Sequence, residues 1–237
     1  MKLIFIRHAE PDYPNNTLTE KGFLEAEALG KKYSAKDFDY IYSSPLNRAK
    51  FTCEKVIKGE KEVTTYDWLE EFNPARDNGI NFKVNWDVLP RVLNEHQDLY
   101  DNDKYLDSEY FKGIEVKKRY KEVTSEFEKL LEKHGYKKEG SYFKVLKRNS
   151  DTIAFFCHFG ITSVLLSHLI NIPYIILAQA FCALPSSVTT VVSEEREDGI
   201  AQFRVLKYGD TNHLKEEGLE DSFSGRFVET YTDKGRH

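Results

Sequence analysis

Two unbroken apolar runs stand out in an otherwise polar chain, residues 3–6 and residues 153–157. Neither alternates with polar positions, and a strand apolar at every position is one buried on both faces, as in the middle of a parallel sheet. A histidine follows each run, His8 after Arg7 and His158 directly. Ligands of open α/β sheets bind beyond the carboxyl ends of the strands, so both histidines fall where chemistry collects. Between the runs the period lengthens. Thr19 reads as the N-cap of a helix over 19–33, with Phe23, Ala26 and Leu29 at helical spacing. Residues 39–42 predict a short strand, 45–57 a helix with Pro45 in its first turn, and 63–68 a third strand from its β-branched and aromatic content.

From 72 to 150 the character changes. Phe72, Phe82, Trp86, Tyr100, Tyr105, Tyr110 and Phe111 mix with charges and show little strand period. Val116, Tyr120, Val123, Phe127 and Leu130 then mark an amphipathic helix ending near Gly135. This segment is expected to be a helical insertion that covers one sheet edge and caps the site. After His158, the residues Ile161, Val164, Leu165 and Leu169 predict a helix packed on the core. Residues 187–193 and 201–208 read as a final strand pair joined through Asp198 and Gly199. The fold class is therefore α/β: one three-layer α/β/α domain over 1–237, with a mostly parallel central sheet.

The 237 residues are ample for such a core. Acids outnumber bases by 39 to 34, a net charge of −5, which argues against nucleic acid as the main partner. An anion site must then be built locally from a few converging cations. Cys53, Cys157 and Cys182 are an odd, scattered set that forms neither a disulfide framework nor a zinc motif. No apolar stretch approaches the ~20 residues that span a bilayer. A cytoplasmic protein without metal or cofactor is the expectation, and oligomeric state is open.

Three short motifs carry the candidate chemistry. Arg7-His8-Ala9-Glu10 pairs a planar guanidinium fork suited to phosphate oxygens with an imidazole able to attack phosphorus. Ser43-Ser44-Pro45-Leu46-Asn47-Arg48 places Arg48 about one turn into the second helix. Cys157-His158-Phe159-Gly160 opens a helix whose free N–H groups can face an anion, with Gly160 leaving room for it. Together with Leu18-Thr19-Glu20-Lys21-Gly22 and Asp210-Thr211-Asn212-His213-Leu214, these segments resemble the histidine phosphatase superfamily, the phosphoglycerate mutase-like fold in its bacterial-type branch. They stand in family order within about the first 70 residues and residues 150–215.

What the resemblance implies is a metal-independent phosphomonoesterase acting on a small soluble phosphate ester or a phosphoprotein. His8 falls on the family's nucleophile, Arg7 and Arg48 on its phosphate-binding arginines, and His158 on its second phosphate-contacting histidine, expected to be protonated beside bound phosphate. The backbone N–H of Phe159 would join them. The proton donor falls in Leu69-Glu70-Glu71, at Glu71 with Glu70 as the alternative. Ala9 and Phe159 stand where the family often has glycine, and the Phe159 ring would lie beside the phosphate or against the insertion. The longer segment that follows the first histidine in true mutases is absent, which weakens a mutase-type phosphotransferase. A non-catalytic phospho-ligand sensor is the other alternative, opposed by the intact His8, Arg48 and His158 set. His213 is expected to make a structural hydrogen bond.

Overall fold

Both apolar runs are strands lying side by side in a computed structural model, which describes residues 1–74, 88–225, 230 and 232. In chain order the strands are β1 (Lys2–Arg7), β2 (Pro11–Asp12), β3 (Thr17–Leu18), β4 (Tyr40–Ser43), β5 (Thr64–Thr65), β6 (Tyr136–Glu139), β7 (Tyr142–Val145), β8 (Thr152–Cys157), β9 (Val188–Glu197) and β10 (Ile200–Asp210). The helices are α1 (Glu20–Lys32), α2 (Asn47–Ile57), α3 (Pro90–Glu95), α4 (Val116–Lys133), α5 (Phe159–Ile170), α6 (Tyr174–Ala180) and α7 (Asn212–Glu216). Eight strands form one sheet in the order β5-β4-β8-β1-β9-β10-β7-β6, and β2 pairs with β3 apart from it. β5, β4, β8 and β1 run parallel, and successive antiparallel pairings add the other four. β9 and β7 therefore oppose the direction that the remaining six share.

Period-two burial explains why β1 and β8 are apolar throughout. Ile4, Ile6, Ala154 and Phe156 pack with Leu29 of α1 and Val56 of α2 on one face. Leu3, Phe5, Ile153, Phe155 and Cys157 pack with Phe127 of α4 and Val164 of α5 on the other. Burying each such large side chain is worth roughly 1.5–3 kcal/mol, so the central strands are firmly placed. Among the described residues no helix is long and apolar enough to cross a membrane.

Local differences from the sequence expectation have physical causes. The third strand shrinks to β5 because Trp68 and Leu69 are buried in succession, in a 3-10 turn that alternation cannot supply. Helix α2 begins at Asn47, two residues after Pro45. The 72–150 segment is helical over α3 and α4, but it ends in the β6–β7 hairpin, which adds two strands to the far sheet edge. Only Tyr136 and Phe143 are buried in that hairpin, too few to show a period. Residues 75–87 of the expected insertion, Phe82 and Trp86 included, lie outside the described residues.

Helix α1 starts as its sequence dictates, with Thr19 Oγ1 accepting from the Gly22 N–H at 2.9 Å. Gly22 serves a second purpose: a Cβ there would lie 2.2 Å from the Glu10 carbonyl oxygen, so helix and post-His8 loop touch backbone to backbone. Replacing glycine by alanine inside an exposed helix ordinarily stabilises by up to about 1 kcal/mol. Here overpacking reverses the sign, and Gly22→Ala should destabilise by about 1–3 kcal/mol. Urea unfolding checks this; an unchanged or raised midpoint would show that the loop yields freely.

Candidate active site

In the parallel register Arg7 lies opposite Cys157, so His8 and His158 leave adjacent strand ends together. Their rings stand 5.0 Å apart between centroids, tilted by 56°. His8 is 1% exposed and His158 fully buried. Backbone bonds hold the pair in place: the His8 N–H donates to the Cys157 carbonyl at 2.9 Å. The Ala9 N–H donates to Thr52 Oγ1 at 3.0 Å, and the Thr52 hydroxyl donates to the Arg48 carbonyl at 2.7 Å, tying the β1 loop to α2.

Hydrogen bonding assigns different protons to the two rings. Nδ1 of His8 lies 2.8 Å from the Ala9 carbonyl oxygen, which can only accept. The proton is therefore on Nδ1, and Nε2 keeps a lone pair. Nε2 of His158 lies 2.8 Å from Ser44 Oγ, which already accepts from the Leu46 N–H at 3.3 Å. The Ser44 hydroxyl, accepting from Leu46, is then free to donate to Nε2, which leaves the proton of a neutral His158 on Nδ1. That Nδ1 is buried and has no hydrogen-bond partner among the described residues. One ring thus offers a lone pair, and the other a donor.

Arg7 and Arg48 frame the rings. Nη1 of Arg7 donates to the Ala183 carbonyl at 2.6 Å, and its Cζ stands 5.7 Å from the Phe159 ring centroid. Arg48 Cζ stands 5.4 Å from the Tyr13 ring centroid. Nε of each arginine is buried without a partner, and neither arginine has a salt bridge among the described residues. Buried, unsatisfied cationic donors are costly unless an anion meets them. Phe159, first residue of α5, packs with Ala178 and Ala183, and its ring lies by Arg7.

Glu71 enters from the other side. Its Oε1 accepts from the Phe72 N–H at 2.8 Å and from the Ile161 N–H at 3.0 Å, the latter in the first turn of α5. This leaves Oε2 to carry a proton. Burial raises its pKa, opposed by Arg7, the Ile161 N–H, Arg48 and the Phe72 N–H. The Glu70 carboxylate makes no hydrogen bond or salt bridge among the described residues. Burial likewise holds His8 well below the usual imidazole range, helped by Arg7 and Arg48. His158 is lowered in the same way, by burial and then by His8, Arg48 and Arg7. Burial and the neighbouring cations thus favour a neutral His158 in the unliganded site, whereas the sequence expectation of a protonated ring concerns the phosphate-bound one.

All six residues expected from the sequence converge here. The sequence model of the histidine phosphatase superfamily (branch 1) matches residues 3–205. The chain belongs to the histidine phosphatase superfamily. It is 28% identical over 139 residues to phosphoserine phosphatase 1 of Hydrogenobacter thermophilus, a match covering 51% of this chain and 66% of that relative's length. Its fold is similar to a mutant phosphoserine phosphatase from Entamoeba histolytica in complex with phosphoserine (TM-score 0.60, 19% identity, 90% of this chain and 98% of that one). A mycobacterial glucosyl-3-phosphoglycerate phosphatase in complex with VO3 is also similar (TM-score 0.56, 17% identity, 88% and 98%).

This member of the superfamily also contains supporting residues that sequence reasoning passed over: Ser44, inside a quoted motif, Thr52, one helical turn beyond it, and Glu25. Glu25 is fully buried in α1, and its Oε2 accepts from the Glu10 N–H at 2.9 Å. Only its place on the inner face of a helix, beside Ala26, could have signalled it. Burial raises its pKa to about 7, Glu10 adding to the rise and the Glu10 N–H, Lys21 and Arg7 opposing it. A carboxyl raised in the fold contributes stability below its unfolded pKa near 4.5, and that contribution is lost as pH climbs through 7. Glu25→Gln keeps the acceptor and removes the titration. It should stabilise the protein by up to about 3 kcal/mol at pH 8 and hardly at all at pH 4. Denaturant unfolding at the two pH values decides; an equal effect at both would mean that Glu25 does not titrate between them.

Proposed function

We propose that this histidine phosphatase family member hydrolyses small phosphate monoesters through a phosphohistidine on His8. The observation that carries this reading is the pairing of a lone pair on His8 Nε2 with a buried, unpartnered Nδ1 on His158, on rings whose centroids stand 5.0 Å apart beside two arginines. Nε2 attacks phosphorus as the ester P–O bond breaks, and the leaving oxygen takes the Glu71 proton. Water then attacks phosphorus, Glu71 recovers a proton from it, the P–N bond breaks and inorganic phosphate departs. Arg7, Arg48, His158 and the first N–H groups of α5 meet the charge on the non-bridging oxygens. A bound dianion would bring His158 back toward its protonated form and disfavour ionisation of Glu71.

Relatives acting on phosphoserine and glucosyl-3-phosphoglycerate support a small, soluble ester. The burial of both histidines favours a metabolite over a phosphoprotein. Three free thiols fit a reducing cytoplasm. Specificity for the leaving group is assigned to the 72–150 insertion, whose aromatic residues suit a partly apolar group.

Rapid quenching during turnover of p-nitrophenyl phosphate should trap an acid-labile phosphate on His8, and His8→Ala should abolish turnover without unfolding the protein. Wild-type turnover in that variant would exclude the mechanism. Because arginine, histidine and backbone donors meet the phosphate charge, dialysis against EDTA should leave the rate unchanged; a loss restored by zinc or magnesium would assign the chemistry to a metal.

Glu71→Gln should slow an alkyl phosphate by roughly two to four powers of ten, the usual worth of a general acid. The acidic phenol of p-nitrophenyl phosphate leaves unaided, so its phosphorylation step should slow far less. Running Glu70→Gln on both substrates settles the choice between neighbours: leaving-group dependence in that variant alone would transfer the role to Glu70.

A further inference from the structure

The C-terminal motif that includes His213 takes no part in the chemistry above, yet it reaches the site through one buried serine. Ser186 lies in the loop between α6 and β9, fully buried, with φ +59°. That left-handed conformation strains a residue with a Cβ and persists only where the surroundings hold it. Its N–H donates to the His8 carbonyl at 3.0 Å. Neighbours in the same loop grip Arg7: the Ser187 carbonyl accepts from the Arg7 N–H at 3.0 Å, and the Ala183 carbonyl accepts from Nη1 at 2.6 Å. One short loop therefore sets the nucleophile and a phosphate-binding arginine together.

His213 holds that loop. Its Nε2 lies 3.1 Å from Ser186 Oγ, and the imidazole is 3% exposed. Burial lowers its pKa to about 4, against the influence of Asp210 and Glu216, so it is a neutral partner at physiological pH. The β9–β10 pairing shifts register between Lys207 and Asp210, just before α7, whose His213 meets the loop. Gly209 (φ +64°) permits it, since a Cβ there would stand 2.9 Å from the Cys182 carbonyl oxygen.

We infer that His213 and Ser186 are positioning residues for phosphoryl transfer, the His213–Ser186 hydrogen bond holding the left-handed backbone that aims His8 at the phosphorus gripped by Arg7. This rests on the function proposed above. A misplacement of an ångström or less can lower a rate by up to about a hundredfold, so His213→Ala should reduce kcat per folded molecule by roughly ten- to a hundredfold with little change in KM.

The test uses p-nitrophenyl phosphate kinetics together with 15N spectra of histidine-labelled protein, the His8 signals being identified by their loss in His8→Ala. His213→Gln, which places an amide near the Nε2 position, should restore most of the rate. Ser186→Gly adopts the left-handed backbone without strain, so adding His213→Ala to it should cost little more. The His8 ring resonances should move in His213→Ala and stay put in the Ser186→Gly double variant. Rate losses that multiply in the double variant, or a kcat per folded molecule unchanged in His213→Ala, would overturn the inference. A wild type inert toward every phosphate ester would remove the functional reading instead. The ring spectra would then still report on positioning, and unmoved His8 resonances in His213→Ala would refute it.

Discussion

The parallel pairing of β1 with β8 is the constraint on which the site depends. Because Arg7 lies opposite Cys157, the residue after each strand end is a histidine, and the rings face each other with no loop to intervene. A slip of one residue would turn Phe156 toward the α4–α5 face and Phe155 toward the α1–α2 face, exchanging the two cores. The placement of His8 beside His158 thus follows from packing preferences along the length of both strands. β4 joins the same arrangement, with the Ser44 N–H donating to the Phe156 carbonyl, and that bond delivers the hydroxyl that fixes His158.

Electrostatics works locally against the overall charge. A chain of net charge −5 keeps two neutral imidazoles between two arginines, because burial and the cations both disfavour protonating the rings. Glu71 is kept protonatable by the opposite balance, burial outweighing the same arginines. In the unliganded site, burial and the arginines thus favour neutral imidazoles at His8 and His158, while burial raises the pKa of the Glu71 carboxyl.

Much of this was legible in the residues. Unbroken apolar runs gave the central strands, and their trailing histidines marked the strand ends where six expected side chains now meet. The short edge strand and the β6–β7 hairpin were not legible, because two exposed threonines, or four residues with one buried ring, carry no measurable period. Glu25, Ser186 and the His213 contact were hidden for another reason: a buried polar residue has no sequence signature until its partner, 15 or 27 positions away, is known. Of the neighbours Glu71 and Glu70, the favoured Glu71 is the one whose carboxylate reaches the Ile161 N–H, a contact no local pattern announces.

The same pairing has a consequence for biosynthesis. Lys2 to Arg7 leave the ribosome long before their partners at Thr152 to Cys157 and Val188 to Val192. Until both arrive, β1 is an exposed apolar segment with nowhere to dock, and contacts this distant in sequence form slowly. Nascent or truncated chains therefore hold the reactive residues of the amino-terminal segment apart from everything that would make them reactive. The site as a whole is assembled only after residues as far along as Ser187 and Val192 have been made.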